Sequence, residues 1–322
     1  MKVVVIGLGS MGKRRIRLIR EMYPSYVVYG VDSREDRQKE SKDLFGIDGF
    51  GKITAVPNDV ESAFVCTSPL SHAGIIKECL DRKWNVFTEI NLVQDGYTDN
   101  IDLAKKNECK LFLSSTFLYR EETKYIRSKV NSGRKWNYVY HVGQYLPDWH
   151  PWEKIGDYFI GDKRTSGCRE IMAIELPWIT KTFGPVSSIS CQTDKMTDLN
   201  IEYNDNFCMQ VMHENGNKGF FVVDVVSPVA VRKFHAYAEG KYISWDGTPD
   251  SVYEFDSTKK GLVKVDLLET AEHVDGYSSF IVENAYKNEI KAFFEIVEQN
   301  QPCEYGFEED RTTLGLIDSV GA

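Results

Sequence analysis

The run Val3-Val4-Val5-Ile6, followed at once by Gly7-Leu8-Gly9-Ser10-Met11-Gly12, constrains this chain more than any other stretch. An unbroken apolar strand that opens into a glycine-rich helix start makes a pyrophosphate site. Gly7 makes the tight turn, Gly9 lets phosphate oxygens reach the backbone, and Gly12 lets helix and strand pack closely. The free N–H groups at the helix start, from Leu8 to Gly12, then face the anion. The helical pattern Ile16, Ile19, Met22, Tyr23 runs to Pro24. A second apolar strand, Tyr26 to Val31, ends in Asp32, 20 residues past Gly12. A carboxylate there accepts from the adenosine 2′- and 3′-hydroxyls and repels a 2′-phosphate, so NAD is expected before NADP. Arg34, two residues on beside Ser33, keeps NADP open, because its guanidinium could pair a phosphate.

At 322 residues, 42% hydrophobic and 27% charged, the chain can bury a full core and divides most naturally into two domains. It has no uncharged apolar stretch of roughly 18 residues, and its N-terminus opens on a core strand instead of a cleavable signal, so a cytoplasmic protein is expected. The seven cysteines, at 66, 79, 109, 168, 191, 208 and 303, form no CxxC pair. That argues against a disulfide framework and against a metal site. A net charge of −9 disfavours nucleic acid and anionic membranes as partners, and there is no helix-turn-helix signal for a DNA-bound regulator. The basic cluster Lys13-Arg14-Arg15-Arg17-Arg20 reads as a solvated helix face, or as Lys13 or Arg14 assisting the phosphates.

Strand and helix signals alternate through the first third: strands 2–6, 26–32, 62–67, 84–89 and 110–115, with helices 11–23, 34–44, 71–82 and 97–107 between them. Alternation implies a parallel, doubly wound sheet. Ala63-Phe64-Val65-Cys66-Thr67 suits a strand covered on both faces, and its end at Thr67-Ser68-Pro69 should border the ligand crevice. From about residue 119 the texture changes. A charged helical stretch, Arg120 to Asn131, precedes Trp136 to Val142, which alternates with period two. Further strands are expected at 186–192, 206–213, 218–227, 233–238, 241–246, 251–256 and 262–267, with a hairpin turn at Glu239-Gly240. Helices are expected at 168–183 and from Tyr277 to Gln299. The fold class is therefore α/β: a doubly wound parallel domain over 1–118, then an α+β domain over 119–322 on an open, mainly antiparallel sheet. The C-terminal end of the second can pack back on the first.

The order of these parts resembles the glucose-fructose oxidoreductase / inositol dehydrogenase (Gfo/Idh/MocA) family. The likeness is carried by the glycine fingerprint, by Cys66-Thr67-Ser68-Pro69-Leu70-Ser71-His72, and by Trp84-Asn85-Val86-Phe87-Thr88-Glu89. Phe183-Gly184-Pro185 and the ending Ala285-Tyr286…Glu289…Phe293…Pro302 extend it over nearly the whole chain. The segment Tyr145 to Trp152 is most similar to the branch associated with surface-polysaccharide and nucleotide-sugar metabolism. The resemblance implies a Rossmann domain, NAD or NADP, and hydride transfer to or from a sugar or nucleotide-sugar carbon. It also implies that Thr67, Ser68 and Pro69 line the cofactor channel and that Glu89 lies near the nicotinamide. His72, at the start of a helix, is either a structural cap or a cofactor neighbour. A homodimer or homotetramer is implied as well, since the outer face of an open sheet would otherwise expose Phe220, Val222 and Val226.

The catalytic positions depart from the family pattern. Where the family usually has Glu-Lys-Pro this chain has Glu89-Ile90-Asn91, so the cation that polarises a carbinol oxygen is missing, and Asn91 offers only a neutral hydrogen bond. Counting back from Phe183-Gly184, the family's proton-accepting histidine falls on Ile174. Glu170, four residues earlier on the same helix face, could supply a carboxylate whose pKa burial would raise. Its alternative is a pairing with Arg169 or a place in solvent. Leu118 stands where related proteins often show an arginine. His150, in the aromatic segment Trp149-His150-Pro151-Trp152, is either a surface residue or a proton-transfer group beside a sugar pocket. Two readings follow: an oxidoreductase whose chemistry is rebuilt from Glu170, Arg169, His150, Asp148 and Asn91, or a catalytically silent protein that binds dinucleotide and sugar.

Overall fold

The computed structural model describes residues 1–130, 133–267, 271–272 and 280–322. The chain forms two compact units, Met1–Ser115 with Tyr286–Thr312, and Thr116–Ala285 with Thr313–Ala322.

In the first unit the apolar runs become strands β1 (Lys2–Ile6), β2 (Val27–Val31), β3 (Asp48–Phe50), β4 (Ser62–Val65), β5 (Asn85–Thr88) and β6 (Leu111–Leu113). They pair in parallel in the order β3-β2-β1-β4-β5-β6, so the order reverses at β1, next to the glycine-rich turn. Helices α1 (Ser10–Met22), α2 (Glu35–Phe45), α3 (His72–Asp81) and α4 (Tyr97–Lys106) connect them. The doubly wound parallel sheet is as the sequence implies. Strand β3 is an addition: three residues with Gly49 at the centre carry no periodicity to read.

Phe64, Phe87 and Phe112, on the adjacent strands β4, β5 and β6, stack at centroid separations of 4.6 and 5.0 Å. Phe293 meets all three edge-on, at 5.2, 5.6 and 5.8 Å. It comes from a helix described below, so these three rings are covered by a side chain 181 to 229 positions away in the sequence.

The second unit holds α5 (Glu121–Val130), β7 (Asn137–Gly143), α6 (Gly167–Phe183), β8 (Val186–Asp194), β9 (Asn206–His213), β10 (Lys218–Asp224), β11 (Val231–Ala238), β12 (Lys241–Trp245), β13 (Tyr253–Asp256) and β14 (Gly261–Lys264). These strands order as β14-β13-β12-β11-β7-β10-β9-β8. Only β7 and β10 run parallel; every other pair is antiparallel. Period two sends Tyr138 and Tyr140 of β7, Phe221 of β10 and Phe234 of β11 to one face, where Tyr138 meets Phe183 of α6, Tyr140 and Phe234 meet Trp178 of α6, and Phe221 stacks on Tyr140. The opposite face keeps Phe220 exposed and Val222 half-buried. The run 218–227 closes as a strand at Asp224, whose Oδ1 accepts the N–H groups of Val226 and Ser227 and turns the chain. The hairpin at Glu239-Gly240 forms with Gly240 at φ +69°.

Helix α7 (Glu283–Gln299) starts in the second unit and from Tyr286 belongs to the first. Residues 277–279 of the helix expected from Tyr277, and Asn131 of the helix expected from Arg120, lie outside the described residues. Helix α8 (Phe307–Ser319) is not among the elements expected from the sequence. Its start is marked by three acidic residues, Glu308 to Asp310, and by Glu309, whose Oε2 accepts the Gly306 N–H at 3.1 Å.

Glu175 is a fully buried acid in the core of the second unit. Glu175 Oε2 accepts from the Tyr140 hydroxyl and from Trp178 Nε1, each at 2.7 Å, while Oε1 accepts from Arg232 at 2.8 and 3.2 Å. All four groups are satisfied by one another, which is the condition under which a buried ion pair persists. Glu175→Ala strands the Arg232 guanidinium and should cost about 3–5 kcal/mol, read from the midpoint shift in urea unfolding; a loss below about 1 kcal/mol would mean that the pair is solvated.

Candidate functional site

The strand–glycine–helix turn is built as the residue types demand. Gly7 adopts φ +93°, and a Cβ there would meet the Cys66 carbonyl at 2.6 Å. At Gly12 a Cβ would sit 1.9 Å from the Gly7 oxygen. Gly9 is different: a Cβ there would meet only Arg37 Nη1, at 3.7 Å, so this backbone faces open space. No side chain caps α1, and its N-terminus therefore presents N–H groups outward, as an anion site requires.

That space is a cleft of about 550 Å³ bordered by Gly7, Gly9, Asp32, Ser33, Thr67 and Ser68. The cradle fits a dinucleotide diphosphate: backbone donors at the helix start, a surface with no Cβ at Gly9, and a carboxylate at the end of β2. Asp32 is held by its own turn, since Oδ2 accepts the Leu8 N–H at 2.8 Å and Oδ1 accepts the Arg34 N–H at 3.0 Å. Ser10 is exposed and Met11 half-buried on the first turn of α1. Pro69 is buried as the first residue of a short turn.

The guanidinium at Asp32 is not that of Arg34, whose Nε and Nη2 bond Asp36. It is that of Arg37, with Nη1 3.5 Å from Asp32 Oδ2. Arg37 and Lys52 both border the cleft, and sequence reading missed both. Arg37 had a signal, its place on the first turn of the helix after Asp32; Lys52 lies beyond β3 and had none.

His72 and Asn91 are both buried and form one network. His72 Nε2 lies 3.0 Å from the Thr67 carbonyl oxygen and Nδ1 lies 2.7 Å from Asn91 Oδ1. Burial pushes the imidazole pKa below its ordinary value, against the hydrogen bonds to Asn91 and Thr67. The neutral ring ties the Thr67 loop to the end of β5.

Glu89 is likewise buried. Its Oε1 accepts from Arg15 Nε at 2.6 Å and its Oε2 from Nη2 at 3.1 Å. The same Nη2 donates to Glu289 Oε2 at 2.7 Å, and Glu289 Oε1 accepts from the Ser115 N–H and the Ser114 hydroxyl. Burial raises the Glu289 pKa and Arg15 opposes it; burial also drives the Cys66 thiol, 3.7 Å from Glu89, well above its ordinary range. This corrects the reading of the basic cluster as a solvated face. Arg15 is fully buried between two carboxylates, Arg14 is buried against the Tyr286 ring, and Lys13 pairs with Glu40.

In the second unit, α6 is buried along most of its length, and Glu170 and Ile174 share a half-exposed face at i, i+4. Ser166 caps the helix by accepting the Arg169 N–H. Glu170 does not pair with Arg169, which binds Asp318 Oδ1 at 2.7 Å and the Ala322 carbonyl at 2.6 Å. Its Oε2 is buried without a hydrogen-bond partner, and desolvation alone lifts its pKa to about 7. Ile90 is half-buried at the end of β5 and Leu118 is buried. His150 is half-exposed, with Nδ1 2.8 Å from Glu153 Oε2 and its ring stacked on Tyr158 at 4.7 Å; Asp148 is exposed. Among the described residues no group of His, Cys, Asp and Glu is arranged to hold a metal ion. None of their helices is long and apolar enough to cross a membrane.

Comparison with known proteins agrees with this geometry. Over 140 residues the chain is 28% identical to the myo-inositol 2-dehydrogenase of Thermotoga maritima, a match spanning 41% of each chain. Its fold is similar to that of an NAD-binding oxidoreductase from Klebsiella pneumoniae, at a TM-score of 0.80 and 13% identity, covering 99% of this chain and 96% of that one. It is also similar to the UDP-N-acetylglucosamine 3-dehydrogenase GnnA of Acidithiobacillus ferrooxidans, at a TM-score of 0.78 and 14% identity, with coverage of 99% and 96%. Residues 1–115 match the family model described as "Oxidoreductase family, NAD-binding Rossmann fold". The glycine turn, Asp32 and the strand order of these residues are in keeping with that match, which covers the first unit's sheet and leaves the rest of the chain outside it.

Proposed function

We propose that the protein is an NAD(P)-dependent oxidoreductase acting on a CH–OH group of a sugar or nucleotide sugar, with Glu170 moving the hydroxyl proton. The observation that carries this is the Glu170 carboxyl, buried without a partner at Oε2 and with its pKa near neutrality. A group poised near 7 is suited to both directions of proton transfer. The intact cradle of Gly7, Gly9, Gly12 and Asp32 supports the cofactor half of the reading, and the dehydrogenase relative supports the substrate class.

NAD, when bound, supplies the two-electron acceptor for the carbinol hydride. The chain's own residues do the rest. The first turn of α1 orients the diphosphate, and Asp32 takes the ribose hydroxyls. Glu170 as carboxylate accepts the alcohol proton while the C–O bond gains double-bond character, and as carboxylic acid it returns that proton in the reverse direction. Ile174 beside it keeps water scarce around the carboxyl, which maintains the raised pKa. Glu89 and Asn91 act as positioning residues through Arg15 and His72. The silent alternative draws on Ile90 and Ile174, which remove the usual cation and histidine.

A cytoplasmic setting suits seven cysteines that are all free. A homodimer or homotetramer suits the open sheet face, where Phe220 is 56% exposed.

Replacing Glu170 with Gln should lower kcat about 10²- to 10⁴-fold and abolish the pH limb near 7. Oxidation rises through that pH as the carboxylate forms, while NAD affinity is unchanged. Unaltered turnover in Glu170→Gln removes the assigned role; tight NAD and sugar binding with no change in reduced-nicotinamide absorbance establishes the silent form. The raised pKa also has a sign in stability: between about 4.5 and 7 the folded state holds a proton that the unfolded state has lost, so stability falls as pH rises through this window. Glu170→Gln should flatten that fall in a series of thermal melts.

Asp32→Ala should weaken NAD by about 10- to 100-fold and NADP by less, since Arg37 remains; equal loss for both by fluorescence titration would count against a ribose role for Asp32. Sedimentation at micromolar concentration should give a dimer or tetramer, and a monomer alone would overturn the assembly.

A further inference from the structure

Strand β3 brings a second cation to the carboxyl end of the parallel sheet. Val31 pairs with Phe50 in the β2–β3 register, so the residues that follow each strand leave the sheet side by side. Asp32 and Ser33 follow β2, and Gly51 and Lys52 follow β3. All four border the cleft of about 550 Å³, and so does Arg37 on the first turn of α2. Among the described residues the charged side chains on that border are Asp32, Glu78, Arg37 and Lys52.

The acids are engaged and the bases are available. Each oxygen of Asp32 accepts a backbone N–H, from Leu8 at 2.8 Å and from Arg34 at 3.0 Å, which offsets part of its charge and still leaves each oxygen a second lone pair. The repulsion that this carboxylate exerts on a 2′-phosphate is weakened accordingly. Glu78 lies 3.9 Å from Arg82 Nε. Arg37 is 36% exposed at its side chain and meets Asp32 at 3.5 Å, longer than a good hydrogen bond. The same Nη1 lies 3.7 Å from where a Cβ of Gly9 would stand, so the guanidinium reaches both the carboxylate assigned to the ribose and the backbone assigned to the diphosphate. Lys52 is exposed and enters no ion pair among the described residues.

We propose that Arg37 and Lys52 form a 2′-phosphate clamp beside Asp32, so that the cleft takes NADP at least as tightly as NAD. The proposal deepens the cofactor half of the reading above and rests on it. Arg37 rests on Asp32 in the free chain, and ribose hydroxyls at that carboxylate displace it. Beside an unphosphorylated ribose the guanidinium is left to water, whereas a 2′-phosphate receives its planar fork of donors, and the Lys52 ammonium adds a second positive charge. Arg34 has no part in the clamp, because its Nε and Nη2 are both held by Asp36. The preference for NAD that the spacing of Asp32 implies is thereby removed.

The test is equilibrium binding to the full chain, by fluorescence titration and calorimetry, with NAD, NADP, AMP and adenosine 2′,5′-bisphosphate as probes. NADP should bind at least as tightly as NAD, and the bisphosphate about tenfold more tightly than AMP. Arg37→Met should weaken NADP and the bisphosphate about 10- to 100-fold while NAD changes by less than about threefold. Lys52→Met should weaken the same two probes about 3- to 10-fold. Arg37→Lys should restore part of the loss, since it keeps the charge without the fork. NADP more than about threefold weaker than NAD, a bisphosphate no tighter than AMP, an equal loss of both dinucleotides in Arg37→Met, or the same loss of NADP in Arg34→Met would each overturn the clamp and leave the redox reading standing. Binding of neither dinucleotide would overturn the redox reading and the clamp together.

Discussion

The buried contact between Arg15 and two glutamates, Glu89 and Glu289, is the constraint on which the first unit depends. One guanidinium on α1 joins the carboxyl at the end of β5 to the carboxyl on α7, and its plane lies over the Phe87 ring at 4.5 Å. A buried cation is tolerated only when its partners are fixed and their remaining lone pairs are satisfied. Here Ser114 and Ser115 complete Glu289. Because α1 begins at the glycine turn, anything that holds α1 also holds the N–H groups that face the diphosphate. The cluster thus links the packing of the core to the geometry of the cofactor cradle, without touching the cleft itself.

The two units differ in how closely their residues follow the pattern that the sequence resemblance implies. In the first unit Gly7 and Gly12 are held by backbone contacts that only glycine permits, and Asp32 by the N–H groups of Leu8 and Arg34. In the second, the helix on which the resemblance leads one to expect a histidine presents Glu170 and Ile174. A carboxyl set among apolar neighbours reaches the neutral range by desolvation, whereas an imidazole begins there. A buried glutamate and a solvated histidine thus reach a similar proton affinity by different physical routes.

The parallel sheet and the glycine turn were legible because local chemistry dictates them: Val3 to Ile6 can only be a covered strand, and Gly7 and Gly12 stand at backbone approaches that exclude a side chain, while Gly9 leaves its backbone open. The i, i+4 relation of Glu170 to Ile174 was legible for the same reason, being a property of one helix. What escaped was set by distant contacts. Arg15 read as one cation in a solvated run, and only its partners 74 and 274 positions away show it to be buried. Strand β3 exists because β2 offers an edge, not because Asp48-Gly49-Phe50 prefers to extend. Arg37 took the place that spacing alone gave to Arg34, since Asp36 captures the nearer guanidinium. Helix α8 had a readable start in Glu308, Glu309 and Asp310 that went unread.

Helix α7 belongs to the first unit from Tyr286, and it brings both Glu289 and Phe293 to a sheet whose strands end at Leu113. On a ribosome, the first hundred or so residues emerge with Arg15 facing a single acid and with the rings of Phe64, Phe87 and Phe112 uncovered. Such a nascent segment has apolar surface and an unbalanced buried charge, so it settles only once the residues from Tyr286 to Thr312 have been made. The order of synthesis and the order of folding are thereby uncoupled: the sheet that is translated first waits for a helix translated after most of the second unit.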